Sequence, residues 1–101
     1  MSATTPEGRV KTNLVKMLKD MKVWYFFPAN NGFGKSGIPD IIICWYGRFI
    51  SVEVKSPKGK PTELQLRCGS DIQEAGGIWR VVRNNDDITA LRAYLTMVRG
   101  F

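Results

Sequence analysis

The stretch Gly37-Ile38-Pro39-Asp40-Ile41-Ile42-Ile43-Cys44-Trp45-Tyr46-Gly47-Arg48-Phe49-Ile50-Ser51-Val52-Glu53-Val54-Lys55 decides the fold. Ile38 to Tyr46 is rich in isoleucine and aromatic residues, as strands are. Phe49 to Lys55 alternates apolar and polar residues, and Gly47-Arg48 between the two runs reads as a tight turn. A hairpin closed there pairs Tyr46 with Phe49, which sets Asp40 opposite Lys55 and Ile42 opposite Glu53. Directly paired residues share a sheet face, as do positions two apart on one strand. Asp40, Glu53 and Lys55 are therefore expected on one face, with the two carboxylates diagonal neighbours at a Cα separation of about 7–8 Å. A slip of one residue would send Asp40 to the opposite face.

Outward from this hairpin, Val23 to Phe27 reads as an earlier strand stopped by Pro28. A loop rich in asparagine and glycine, Asn30 to Gly37, leads into the hairpin. Before it, Thr5-Pro6-Glu7 opens a helix, with Val10, Leu14, Met17, Leu18 and Met21 forming its apolar stripe. Glu7 falls near that stripe, an unusual place for a carboxylate. After the hairpin comes a basic loop, Ser56 to Pro61. Thr62 then caps a helix running to about Ala75, with Leu64, Cys68, Ile72 and Ala75 on one face. Gly69 within it costs about 1 kcal/mol relative to alanine. Gly76-Gly77 ends that helix, and Ile78 to Arg83 forms a fourth strand. Asp86 or Asp87 caps a last helix with the stripe Ile88, Leu91, Leu95 and Val98. The expectation is one α/β domain over residues 1–101, with a mixed sheet and the order α-β-β-β-α-β-α. The helix between the third and fourth strands permits a parallel crossover.

Composition narrows the chemistry. The 101 residues are 44% hydrophobic and 24% charged, which is ordinary for a globular domain. Lys and Arg number 15 against nine Asp and Glu, a net charge of +6 that suits a polyanionic partner, usually nucleic acid. The chain has no histidine, so histidine triads, imidazole acid–base catalysis and histidine metal sites are excluded. Cys44 and Cys68 do not suffice for a four-ligand zinc site or a disulfide framework. Free thiols, no long apolar run and no signal-peptide profile lead to the expectation of a cytoplasmic protein. Catalysis is left to Asp, Glu, Lys and Tyr, with or without a hard metal ion.

Asp40, Glu53 and Lys55 on one face suit such an ion. Mg²⁺ favours one or two carboxylates together with waters and phosphate oxygens. In general such an ion lowers the pKa of water and polarises a phosphoryl group. A neighbouring lysine orients or deprotonates the water, or offsets charge developing on the phosphate. Lys35, Lys58 and Lys60, in the loops flanking these strands, are the candidate contacts to a DNA backbone.

At these residues the sequence resembles the PD-(D/E)XK nuclease superfamily. Its pattern is closest to the virus-type replication-repair nuclease (VRR-NUC) family. The matching pieces are Glu7, the run Lys35-Ser36-Gly37-Ile38-Pro39-Asp40, Glu53-Val54-Lys55, and Gln65 on the following helix. The resemblance spans about residues 5–95 and implies a restriction-endonuclease-like fold. It implies Asp40 and Glu53 as metal ligands, with the Val54 carbonyl as a third and Glu7 as an outer acidic ligand. Lys55 would be catalytic, and Gln65 would position water, metal or the scissile phosphate. The implied cofactor is Mg²⁺, with Mn²⁺ as a substitute. The implied activity is endonucleolytic cleavage of DNA, with branched DNA favoured. Its minimal size is expected of a phage or mobile-element enzyme acting in the host cytoplasm.

Blander readings stand beside these. Glu7 is also a favourable first-turn carboxylate, Gln65 alone is an ordinary helical residue, and Glu53 with Lys55 alone would be a solvated strand face. The cysteines read as small buried apolar groups, and Trp24, Tyr25, Phe26, Trp45 and Trp79 as core. An excess of aromatics on an outer face would instead mark a subunit interface. Rival functions are a nuclease for flaps, nicks or linear duplex, a non-catalytic DNA-binding module, and a basic RNA-binding protein. Paired cuts on a junction need two sites, so a homodimer is expected, with Trp24, Phe26, Phe33, Trp45 and Phe101 as candidates for its interface.

Overall fold

The structure, a computed structural model, describes residues 5–29 and 36–100. Helix α1 spans Pro6–Asp20; the Thr5 hydroxyl accepts the Gly8 N–H, and Pro6 occupies the first turn, where its missing N–H is no loss. Strands β1 (Trp24–Phe26), β2 (Ile41–Trp45) and β3 (Arg48–Val54) follow, then α2 (Glu63–Glu74), β4 (Ile78–Val82) and α3 (Asn85–Met97). The four strands form one sheet in the order β1-β2-β3-β4. Its first three strands are antiparallel, and β4 runs parallel to β3 after the α2 crossover. The expected α/β architecture and element order are those observed.

Helices α1 and α3 cover one face of the sheet. Their stripes (Val10, Leu14, Leu18; Ile88, Leu91, Leu95) bury against Ile41, Ile43, Trp45, Ile50, Val52 and Val54. The Trp45 indole N–H donates to the Leu95 carbonyl at 2.9 Å, so the buried ring leaves no polar group unpaired. Helix α2 lies on the other face, chiefly over β4. A side chain at Gly69 would collide with the Trp79 ring, which explains a glycine inside this helix. Helix α3 is capped by Asn84, whose side chain accepts the Asp87 N–H, rather than by Asp86 or Asp87.

The hairpin differs from the sequence expectation. Its turn residues are Tyr46-Gly47, both with positive φ (49° and 81°), and Trp45 pairs with Arg48. This is the primed turn geometry that matches the strand twist, with Tyr46 tolerated at a position usually held by asparagine or glycine. Relative to the expected register the strands slip by two residues, so the face assignments survive. Continued one step beyond the paired residues, the register sets Asp40 opposite Glu53 itself.

The aromatics are redistributed too. Trp24 and Phe26 stand exposed on the α2 side of the sheet rather than in the core, whereas Trp45 is buried and so unavailable to an interface. Tyr25 packs against the core. Cys44, paired with Trp24 on that outer face, is exposed, and only Cys68 is buried. Helix α2 packs chiefly over β4, and among the described residues it leaves Trp24, Phe26 and Cys44 exposed on that face. Phe33 and Phe101 lie outside the described residues.

Candidate active site

The sheet brings its chemistry to one end, where β1 and β3 finish, β2 begins and β4 finishes. Asp40 precedes β2, delivered by Gly37-Ile38-Pro39. Gly37 has φ of +76°, and a Cβ there would overlap the Leu64 carbonyl in the first turn of α2. Glycine thus lets this segment pass against α2 and carry Asp40 to the sheet. One Asp40 carboxylate oxygen accepts the backbone N–H of Val54 at 2.8 Å, which pins the carboxylate to β3.

Glu53 is 1% exposed, a charged residue type rarely buried without a partner. Its Oε1 accepts from the Gln65 side-chain amide at 3.0 Å. Its Oε2 is buried and receives no hydrogen bond. Burial pushes the Glu53 carboxyl up to about 8, reinforced by the neighbouring Asp40 carboxyl and its charge; Lys55 pulls it down, and Glu7 adds a smaller upward push.

Gln65 is fixed by chemistry at both ends. It is the third helical residue of a capping box, and its Oε1 accepts the Thr62 N–H at 2.8 Å while Thr62 Oγ1 accepts the Gln65 N–H. With the oxygen committed to the cap, the NH₂ group faces Glu53. The helix start thereby becomes the support of a buried carboxylate.

Lys55 is half-buried just beyond β3, its backbone N–H bonded to the Val82 carbonyl at 3.0 Å. Val54 is buried at the strand's end. Glu7 is exposed in the first turn of α1, not on its apolar face; Gly8 is the buried residue there. Its charge nevertheless reaches Glu53. Lys58 and Lys60 are exposed in the loop before α2, and Lys35 lies outside the described residues.

Among the described residues no three His, Cys, Asp or Glu side chains are grouped closely enough to hold a metal ion. Asp40 and Glu53 are the pair able to do so, with main-chain oxygen and water as the remaining ligand types. A polar recess of about 320 Å³ opens beside them, lined by Asp40, Gln65, Gly37, Phe27 and Lys11. Lys11 carries one signal in the sequence, its place one helical turn after Glu7. No helix among the described residues is long and apolar enough to cross a membrane. No protein-family model matches the chain, and no curated protein matches it.

Proposed function

We propose that this protein is a metal-dependent DNA endonuclease of the PD-(D/E)XK type, similar to VRR-NUC enzymes, acting on branched DNA as a homodimer. The observation that carries the reading is the buried Glu53 carboxyl, with its Oε2 left without a donor and its charge opposed by that of Asp40. Two hard oxygen donors in that relation fit a divalent cation, whose charge answers both the orphaned oxygen and the repulsion between the carboxylates. Asp40 and Glu53 would hold it, with the Val54 carbonyl as the further ligand the resemblance implies. Bound there, Mg²⁺ or Mn²⁺ supplies Lewis acidity toward a phosphodiester and toward water.

The chain's own residues do the positioning. The Val54 N–H fixes Asp40, and Gln65 fixes Glu53. Preorganised ligands of this kind need no rearrangement as the reaction proceeds. Lys55, close enough to Glu53 to act on its charge, offsets negative charge as it develops on the phosphate. Glu7 adds negative potential that favours a cation.

A second copy is the expected partner. Trp24 and Phe26 on β1 are 61% and 43% exposed, and Phe49 on β3 is 49% exposed on the same sheet face. An apolar groove of about 400 Å³ adjoins them, lined by Ile38, Ile42, Phe49, Cys68 and Ile72. Asp71 is its one charged wall residue, so this surface suits protein rather than phosphate. A two-fold pairing makes one such patch its own complement, and Trp24→Asp is expected to yield monomers by light scattering. Branched DNA rests on the family resemblance and on the two opposed cuts a dimer provides.

The test offers the protein four-way junction, flap, single-stranded and linear duplex DNA with Mg²⁺, with Mn²⁺, and with chelator. Paired cleavage of the junction that chelator abolishes and either ion restores is the expected result. Full activity in chelator, or no cleavage of any substrate, overturns the proposal. Preferential cleavage of flap or duplex overturns the branched substrate alone.

A further inference from the structure

Most of the cations on this protein are exposed, but Lys11, Arg48, Lys55 and Arg83 are half-buried. Arg48 sits at the hairpin end, bonded to the Tyr46 carbonyl. The other three gather at the opposite end of the sheet, around Asp40 and Glu53. Lys11 holds its ammonium 4.7 Å from the centre of the Phe27 ring, just past β1, and lines the recess shared by Asp40 and Gln65. Arg83 follows β4. Its Nε donates to the Gly59 carbonyl at 2.8 Å, which ties it to the loop bearing Lys58 and Lys60.

Among the described residues, neither Lys11 nor Arg83 has a carboxylate within 4.0 Å, whereas Arg92 does pair with Asp20. The Asp87 side chain beside Arg83 takes the backbone N–H at 2.8 Å. Both cations are thus partly ordered, by a ring in one case and a carbonyl in the other. Ordering a long side chain without a counter-ion sacrifices rotamer entropy, which an incoming anion can recover as binding energy.

The strand order gives the spacing. Phe27, Asp40, Lys55 and Arg83 follow β1, precede β2, follow β3 and follow β4 in turn. Three strand gaps at about 4.8 Å put the outer groups about 14 Å apart. At about 3.4 Å of helix axis per charge on one DNA strand, that line spans about four phosphate-to-phosphate steps.

We infer that one nucleic-acid strand crosses this end of the sheet at right angles to the β-strands, with Lys11 and Arg83 gripping phosphates on either side of the one reaching Asp40, Glu53 and Lys55. Arg83 does so through the terminal amino groups that its Gly59 bond leaves available. Lys11 does so from its seat over Phe27, where ring and cation hold each other in place. The inference rests on the nuclease reading and adds the path and direction of the substrate strand to it.

The test measures DNA affinity by fluorescence anisotropy in chelator, in an Asp40→Asn background that holds cleavage off. A labelled duplex and a labelled four-way junction are titrated from about 50 to 200 mM KCl. Lys11→Ala and Arg83→Ala are each expected to weaken binding several-fold and to flatten the log Kd against log salt slope by about one unit. Arg83→Lys keeps the charge without the guanidinium fork and retains the slope. Lys19→Ala, an exposed cation in the last turn of α1, is the control and leaves the slope unchanged. Unaltered slopes in Lys11→Ala and Arg83→Ala overturn the inference. So does an Arg83→Lys variant that loses the slope as fully as alanine does, because Arg83 then serves only to hold the Gly59 carbonyl. If the Asp40→Asn parent shows no salt-dependent DNA binding at all, the nuclease reading itself falls.

Discussion

Replacing Glu53 by glutamine tests the central claim about the site, because the same atom governs stability and chemistry in opposite directions. Burial and Asp40 raise the Glu53 carboxyl from 4.5 to about 8. In the native state the group therefore holds its proton at pH values where the unfolded chain has released it. A folded pKa raised above the unfolded one makes stability fall as pH rises through that window. The loss relative to the fully protonated protein is about 1 kcal/mol at pH 5, about 3 at pH 7 and about 5 at pH 9, where it saturates. Glutamine resembles the protonated acid in shape and never ionises. Its carbonyl keeps the bond from Gln65, and its NH₂ replaces the orphaned Oε2 with an uncharged group. Glu53→Gln is thus expected to exceed wild type in chelator by about 1 kcal/mol at pH 5, by about 3 at pH 7 and by about 5 at pH 9, while losing metal-dependent cleavage. Urea denaturation at the three pH values provides the free energies. A stability difference that stays flat from pH 5 to pH 9 would refute the reasoning, because the carboxyl would then ionise as easily in the fold as in water.

Asp40→Asn and Lys55→Ala are expected to abolish cleavage while leaving DNA affinity within a few-fold, measured as single-turnover rate beside Kd; either variant cutting at near wild-type rate would remove that residue from the site. Gln65→Ala loses both the cap to Thr62 and the bond to Glu53, for a destabilisation of about 1–2 kcal/mol by denaturant titration together with slower cleavage. Gly69→Ala ought to stabilise a free helix by about 1 kcal/mol, yet here its methyl group meets the Trp79 ring, so a net loss of about 1–3 kcal/mol is expected. A rise in melting temperature for Gly69→Ala would show that Trp79 yields easily.

Some of this was decided by local chemistry and so could be read along the chain. The Thr5-Pro6 helix start, the apolar stripe of α1 and the isoleucine-rich strand each follow from spacing and residue type, and each forms as that chemistry requires. The shared face of Asp40 and Glu53 was equally legible, although the turn was misplaced. Strand faces repeat every two residues, and the true turn at Tyr46-Gly47 shifts the pairing by two, so parity protected the conclusion while the pairing partner changed.

Other features belong to the assembled fold alone. Periodicity marks Trp24 and Phe26 as strand residues, but their exposure depends on how far α2 extends over the sheet, which strand order and crossover decide. Glu7 is exposed and Gly8 is the residue buried in that turn, despite the position of Glu7 beside an apolar stripe. The burial of Glu53, its missing donor, the double duty of Gln65 and the approach of Lys11 to Asp40 all join segments far apart in the chain. Sequence thus determined which carboxylates share a face, because that is a rule of local pleating. Only tertiary structure determined which of them is deprived of water, because desolvation is set by what the rest of the chain places around it.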